Sequence, residues 1–119
     1  MNWKDNFEEG KELILATSSK DSKPNANICI SLGFSENKLL IADCQMNTTI
    51  KNIRENQRVC IISGYFRIKG SAELFSSGEH FNTCSKILAT QDNSLKMKTA
   101  LVINIEEVFD LDKGKDVIL

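Results

Sequence analysis

Residues 44–59 have the sequence CQMNTTIKNIRENQRV, which predicts a polar turn, a short helix and then a strand. Asn47 is the predicted N-cap, because its side chain can accept a hydrogen bond from the free backbone N–H groups that begin a helix. Ile50 and Ile53 fall about one turn apart and give this helix an apolar inner face. The stretch therefore joins two strands through a helix that packs on them.

The predicted helix start also carries donors that suit an anion. Thr48 and Thr49 place hydroxyl groups among unpaired N–H groups at the positive end of the helix dipole, and Lys51 lies on the same turn. An ordinary capped connector helix with a solvated face fits the same residues, and on local sequence alone it is the favoured interpretation.

Length and charge limit the class of protein. The 119 residues suit one domain, 1–119, whose core is large enough to be stable without a disulfide or a structural metal. The 15 basic and 16 acidic residues give a net charge of -1, so the chain has no overall field to attract nucleic acid or an anionic membrane. We therefore expect neither a nucleic-acid partner nor a membrane partner.

The cysteines and the N-terminal residues predict a cytoplasmic protein. No Cys-x-x-Cys pair occurs, and the well-separated thiols are expected to be reduced: Cys29, Cys44, Cys60 and Cys84. Acidic residues stand near the N-terminus where a signal peptide would need an apolar run, and no segment approaches the ~18 apolar residues of a membrane span.

The remaining pattern is mainly β. Strands are predicted over 13–18, 25–34, 38–43, 58–63, 65–75 and 98–112, and further helices over about 2–12 and 78–88. In the clearest strand, Phe66, Ile68, Gly70, Ala72 and Leu74 alternate with polar residues and are predicted to face inward. Five or six strands with short helices at the edges predict a small antiparallel barrel.

Several kinds of chemistry have no residues to carry them. His80 lacks a second histidine, is predicted to lie on the outer side of a helix, and supports neither a zinc site nor a catalytic triad. There is no Gly-rich phosphate loop. Tyr65, Arg67 and Lys69 form an outward row that could stack on single-stranded nucleic acid, but an ordinary exposed strand face is favoured. No side chain is a convincing catalytic acid or base.

Four stretches, in this order and spacing, resemble a known family. They are ATSSKDSKPN at 16–25, NTTIKNIRENQRV at 47–59, FRIKGSAE at 66–73 and ALVINI at 100–105. The chain resembles the split-barrel flavin-binding family related to pyridoxamine 5'-phosphate oxidase, in particular its small FMN-binding proteins. The resemblance implies an antiparallel six-stranded split β-barrel of Greek-key type, which forms a homodimer with FMN at the interface.

The resemblance also implies a flavin site. The positions that match those contacting the phosphate are Asn47, Thr48 and Thr49. The positions that match the strand beside the isoalloxazine ring are Asn27, Ile28 and Cys29, and those that follow it toward the ribityl chain are Asp43, Cys44, Gln45 and Met46. The family usually has a lysine or arginine in this loop where the chain has threonines, so Lys51, Arg54 or Arg58 is expected to supply the missing charge.

The resemblance implies a function in two versions. The first is an FMN-binding flavoprotein that acts in electron transfer or as a small flavin-dependent oxidoreductase, with a redox partner protein or a small-molecule substrate. The alternative is a non-enzymatic binder or sensor that keeps the barrel dimer but binds flavin weakly or not at all. In addition, the apolar C-terminal residues 117–119 are expected to pack on the partner subunit or near the flavin.

Overall fold

The computed structural model describes residues 2–119, and its regular elements are mostly β-strands. The strands are β1 (Glu12–Ser18), β2 (Pro24–Ser35), β3 (Lys38–Asp43), β4 (Arg58–Ser63), β5 (Phe66–Phe75), β6 (Thr99–Asp110) and the short β7 (Lys115–Asp116). The helices are α1 (Asn47–Glu55), α2 (Glu79–Gln91) and a 3-10 helix over Trp3–Phe7. Neither α1 nor α2 combines the length and the apolar character that crossing a bilayer requires.

Six of the strands close into an antiparallel barrel, which confirms the predicted fold class. Neighbouring strands follow the order β3-β2-β1-β4-β5-β6, and β3 also pairs with β6, from Leu39 opposite Ile103 to Asp43 opposite Thr99. β7 is an extra strand that pairs with the end of β6 at Phe109 and Asp110.

Alternation along the strands fills the barrel, because successive side chains point to opposite faces. The interior side chains, all fully buried, include Leu13, Leu15, Leu39, Ile41, Ile61, Ile68, Leu101 and Ile103. A second apolar cluster lies under α2, where Cys84 and Leu88 pack with Leu40 and Val102. The predicted inward face of β5 is confirmed at Ile68, Gly70 and Ala72.

In its first half, β2 carries large apolar residues on the outside of the barrel. Cys29 and Ser31 are buried, whereas Ile28 is 64% exposed and Ile30 is 44% exposed in the single chain. Exposed and less exposed side chains alternate along β2 from residue 24 to residue 31, and the alternation ends at Leu32 and Gly33, which are both buried. This outer surface is important for the assembly proposed below.

The N-terminal helix is much shorter than predicted. Instead of reaching residue 12, it is a 3-10 helix that ends at Phe7, whose ring is buried 6.0 Å from that of Trp3, centroid to centroid. Gly10 has φ +89 and donates its backbone N–H to the carbonyl of Ser31, so the chain has already turned toward β1. The segment therefore packs Trp3 and Phe7 on the barrel core in fewer than two helical turns.

Candidate functional site

A cleft of about 1030 Å³ opens where β2 and β3 separate. Pairing between these strands starts at Ser31 opposite Ile41, so residues 24–30 of β2 have a strand neighbour only on the β1 side. The unpaired edge leaves backbone donors and acceptors facing the opening. The cleft is lined by Gly10, Asn25, Asn27, Ile28, Cys29, Ile30, Leu32, Ala42, Cys44, Gln45, Met46, Asn47, Thr48, Thr49, Leu88, Gln91, Asp92 and Leu95.

The loop from β3 to α1 is held by Asp43, and this corrects the predicted cap. Asp43 Oδ1 accepts a hydrogen bond of 2.7 Å from the Met46 backbone N–H, and Met46, not Asn47, is the N-cap residue of α1. Asn47 is instead the first residue of the helix. Because early N–H groups of a helix have no partner within it, those of residues 47–49 are left at the end of the cleft.

The Thr49 hydroxyl is already hydrogen-bonded within the protein, whereas Thr48 faces the cleft. The Thr49 hydroxyl donates to Asn27 Oδ1 at 2.6 Å and accepts from Asn25 Nδ2 at 3.3 Å, and the residue is only 2% exposed. These bonds tie the start of α1 to β2. Thr48 is exposed, so its hydroxyl is the one that remains for a ligand.

Two asparagines fix α1 on the barrel. Asn52 Nδ2 donates to Thr17 Oγ1 at 3.1 Å, and Asn56 Nδ2 donates to Ser18 Oγ at 3.1 Å. Ile50 and Ile53 are buried beside them, as the sequence predicted. The hydrogen bonds of Asn52 and Asn56 therefore hold the helix on β1 and set the direction in which its first turn points.

The structure brings together nine of the eleven residues predicted for the flavin site. Asp43 and Lys51 are the two that do not line the cleft: Asp43 is buried beneath the loop, and Lys51 is exposed and lines smaller cavities beside α1. Arg54 lines one of those cavities, and Arg58 pairs with Glu106 at 2.7 Å. None of the three cations expected to replace the loop lysine therefore lines the cleft.

The lining of the cleft carries little charge. Of the described side chains that line it, only Asp92 is charged, and hydrogen bonds from the hydroxyl and the backbone N–H of Ser94 lower the pKa of its carboxyl group. Burial raises the pKa of Cys29 to about 12, and it also raises the pKa of Cys44, with Asp43 and Asp92 adding to the effect. Both thiols are thus neutral near pH 7 and are poor nucleophiles.

The end of α2 and the following loop form a wall that the sequence did not reveal. Leu88, Gln91, Asp92 and Leu95 line this side, and Gln91 Nε2 donates to the Ser31 carbonyl at 3.1 Å. The apolar spacing along 78–88 predicted the helix that ends here. The loop after it has the composition of an ordinary turn, so no signal in the sequence pointed to the cleft.

A long cleft with an unpaired strand edge along one side and a helix start at one end suits a flat ligand that carries an anionic group.

Comparison with protein families agrees with this geometry. Residues 2–112 match the family model described as pyridoxamine 5'-phosphate oxidase. The chain belongs to this family. The uncharacterized protein MJ0282 of Methanocaldococcus jannaschii is 34% identical over 116 aligned residues, which cover 91% of this chain and 78% of the relative.

Solved structures share the fold at low sequence identity. HupZ of Group A Streptococcus is 19% identical, with a TM-score of 0.79 over 90% of each chain. An FMN-binding protein from Syntrophomonas wolfei is 15% identical, with a TM-score of 0.74 over 98% of this chain and 82% of that one. General Stress Protein 26 from Bacillus anthracis is 17% identical, with a TM-score of 0.72 over the whole of both chains.

Proposed function

We propose that the protein binds FMN in the cleft between β2 and α1 and acts in electron transfer or as a small flavin-dependent oxidoreductase. The observation that carries the proposal is the cleft itself, in a chain of the pyridoxamine 5'-phosphate oxidase family. Its volume, about 1030 Å³, is at the upper end of the range for small-molecule sites. The solved relative from Syntrophomonas wolfei is described as FMN-binding, which supports the same cofactor here.

The residues present fit the cofactor. The N–H groups of residues 47–49 and the Thr48 hydroxyl are donors suited to a phosphate, and Gln45 and Met46 extend the same wall. The open edge of β2 at residues 27–29 offers backbone groups for the polar rim of a flavin ring, and Leu88 and Leu95 offer apolar contact. Asp43 has a positioning role, because it holds the loop through Met46.

When bound, FMN supplies the electron-transfer chemistry, and the protein supplies orientation and exclusion of water. The neutral Cys29 and Cys44 thiols give no nucleophile, and we assign no catalytic side chain. The role of this chain is therefore to bind the flavin and to set its surroundings.

We also propose that the protein is a homodimer. The outer surface of the sheet exposes Ile14 by 45%, Ile28 by 64% and Ile30 by 44%, and a contiguous apolar surface of this kind marks an interaction site. Ile14 and Ile28 are cross-strand neighbours, so the surface is continuous, and it adjoins the cleft. A second copy packed on this surface would cover both the exposed isoleucines and the cleft.

Reconstitution tests the proposal directly. Protein mixed with excess FMN and passed through gel filtration should retain flavin absorbance at one FMN per chain, and it should unfold at a higher temperature than the flavin-free protein. Absence of both effects would contradict FMN binding. Reversible reduction by dithionite then establishes a redox-active site.

One observation favours the alternative function, a binder or sensor that has lost the flavin. No basic side chain lines the cleft within residues 2–119, and a missing charge-assisted contact costs about 1.5–3 kcal/mol, or roughly one to two decades in affinity. Recovery of protein with stoichiometric FMN would rule this alternative out.

A further inference from the structure

Arg67 lies on the outer face of β5 with an unmet hydrogen-bonding requirement. Its Nε is buried and has no hydrogen-bond partner among the described residues, and its guanidinium group lies 4.8 Å from the centre of the Phe109 ring. No carboxylate of residues 2–119 forms an ion pair with it. Buried polar groups in folded proteins nearly always have partners, so the buried Nε of this half-buried arginine is a donor available to an acceptor from outside the chain.

Arg67 belongs to a continuous row across the outside of the barrel, which we call the outer row: Ile28, Ile14, Ile62, Arg67 and Phe109. Each is the cross-strand neighbour of the next, from β2 through β1, β4 and β5 to β6. Two of its members, Ile28 and Ile14, belong to the apolar surface on which we propose that a second copy packs, and Ile62 lies half-buried beside them. Arg67 is the only charged member, and it would be buried with them.

Within one chain Arg67 is too far away to serve the cleft. β5 is three strands from β2, and at 4.7–4.9 Å per strand this is about 14 Å along the sheet. Arg67 is accordingly not among the residues that line the cleft.

Two-fold symmetry changes this relation. In a symmetric dimer each copy uses the same surface, so residue i contacts j and j contacts i. With the axis near the middle of the outer row, at β1 and β4, the β5 strand of one subunit lies over the β2 strand of the other. The cleft opens beside β2, at Ile28 and Ile30.

We propose that Arg67 of the partner subunit completes the cleft and supplies the positive charge that its own lining lacks. The proposal rests on FMN binding by a homodimer, as proposed above, and it assigns the cation to bound flavin in trans. The described lining of the cleft has no basic side chain to bind an anionic cofactor, and Arg67 has a buried donor without an acceptor, so each would supply what the other lacks.

The first experiment compares Arg67→Gln with Lys69→Gln, which removes a lysine from the exposed part of the same face of β5. Arg67→Gln should weaken FMN binding by roughly ten- to a hundredfold, the loss expected for a charge-assisted hydrogen bond, and Lys69→Gln should bind FMN like the wild type. Riboflavin in place of FMN locates the contact: equal loss for both ligands places the guanidinium group beside the ring, and loss for FMN alone places it on the phosphate. Equal FMN affinity in the two variants would overturn the proposal.

The second experiment asks whether Arg67 acts across the interface. Thr48→Glu adds a negative charge at the phosphate end of the cleft, at an exposed position in the first turn of α1 where an acidic residue suits the helix dipole. Dimers are prepared by co-expression of a Thr48→Glu chain and an Arg67→Gln chain with different tags. One of their two sites then combines an intact cleft with an intact Arg67 of the partner subunit.

The mixed dimer should bind FMN at half the wild-type stoichiometry with wild-type affinity, whereas each parent homodimer binds weakly. If Arg67 acted within its own chain, both sites of the mixed dimer would be defective, and this result would refute the proposal. A wild-type protein that is monomeric would refute it as well. Failure of FMN binding in the wild type would instead contradict the proposed function, so the two failures are distinguishable.

Discussion

At the scale of single residues, Thr48 is one of the two threonines, with Thr49, where the family resemblance leads us to expect a lysine or arginine. Its exposed side chain lines the cleft beside free N–H groups at the start of α1, and no basic side chain lines the cleft within residues 2–119. Thr48→Lys should therefore tighten FMN binding by roughly tenfold, since one charge-assisted contact is added. Titration followed by flavin fluorescence measures the change. Riboflavin, which lacks the phosphate, should show no gain, and a gain for both ligands would contradict a phosphate contact.

Cys29 gives the protein an alkaline limit on its stability. Burial raises its pKa from an ordinary 9.0 to about 12, so the folded state favours the neutral thiol. The stability that the fold gains from keeping the Cys29 thiol neutral is complete below pH 9.0 and is lost as the pH rises from 9.0 toward 12. In that window the free energy of unfolding should fall by about 1.4 kcal/mol per pH unit through Cys29 alone.

Urea unfolding under reducing conditions, at several values between pH 8 and pH 10, tests this. Cys29→Ala should show a shallower decline than the wild type, with Cys84 still contributing because burial raises its pKa to about 11. Parallel pH profiles for the two proteins would show that the Cys29 thiol is not held neutral by the fold.

At the scale of elements, the junction of β5 and β6 depends on Gly70. The strand register shifts between Lys69 and Gly70, and a Cβ atom at Gly70 would lie 2.0 Å from the backbone carbonyl oxygen of Asn104. Gly70→Ala must therefore displace the backbone, and we expect a loss of about 3 kcal/mol or more in the free energy of unfolding. Ser71→Ala, one residue along the same strand, should cost less than about 1 kcal/mol. Chemical denaturation compares the two, and equal stability would mean that the sheet adapts without cost.

The elements also show how far the sequence could predict the structure. Alternation in β5 and helical spacing in α1 were enough to predict these elements and their inward faces, because burial follows the period of each element. The prediction of Asn47 as the N-cap of α1 was wrong because Asp43, outside the helix, accepts a hydrogen bond from the Met46 N–H group. The wall at Gln91 could not be predicted, since it depends on a hydrogen bond to Ser31, sixty residues away along the chain.

The family resemblance placed nine residues in one cleft, which local patterns alone did not do. It also led us to expect the flavin ring beside residues 27–29 of β2, which stays a prediction. However, the direction of the apolar face of β2 was not evident from the sequence, because Ile28 and Ile30 show the same alternation whether the core or a second copy covers them. The exposure of these residues in the folded chain provides that information.

At the scale of the whole molecule, β3 pairs with β6 to close the barrel, β2 keeps an unpaired edge at the cleft, and Ile14, Ile28 and Ile30 are exposed on the outside. Ile118 and Leu119 at the C-terminus are also exposed, by 97% and 66%, while Val117 packs against the barrel core. The expectation that residues 117–119 contact a partner subunit or the flavin thus stays a prediction. A second copy over the outer row would place apolar surface against apolar surface and would leave the cleft of each subunit bounded by the other.

Ile14 lies near the centre of this surface, between Ile28 on β2 and Ile62 on β4. Ile14→Glu should cost the single chain little, because the side chain is 45% exposed there, but in a symmetric dimer it places two carboxylates in an apolar interface. We expect the variant to sediment as a folded monomer and to lose FMN affinity together with dimerisation. Asn82→Glu, which adds the same charge on the exposed side of α2, should remain dimeric and bind FMN normally. If Ile14→Glu remained a dimer with full FMN affinity, the flavin site would have to be built without this surface, and another face of the barrel would be the interface.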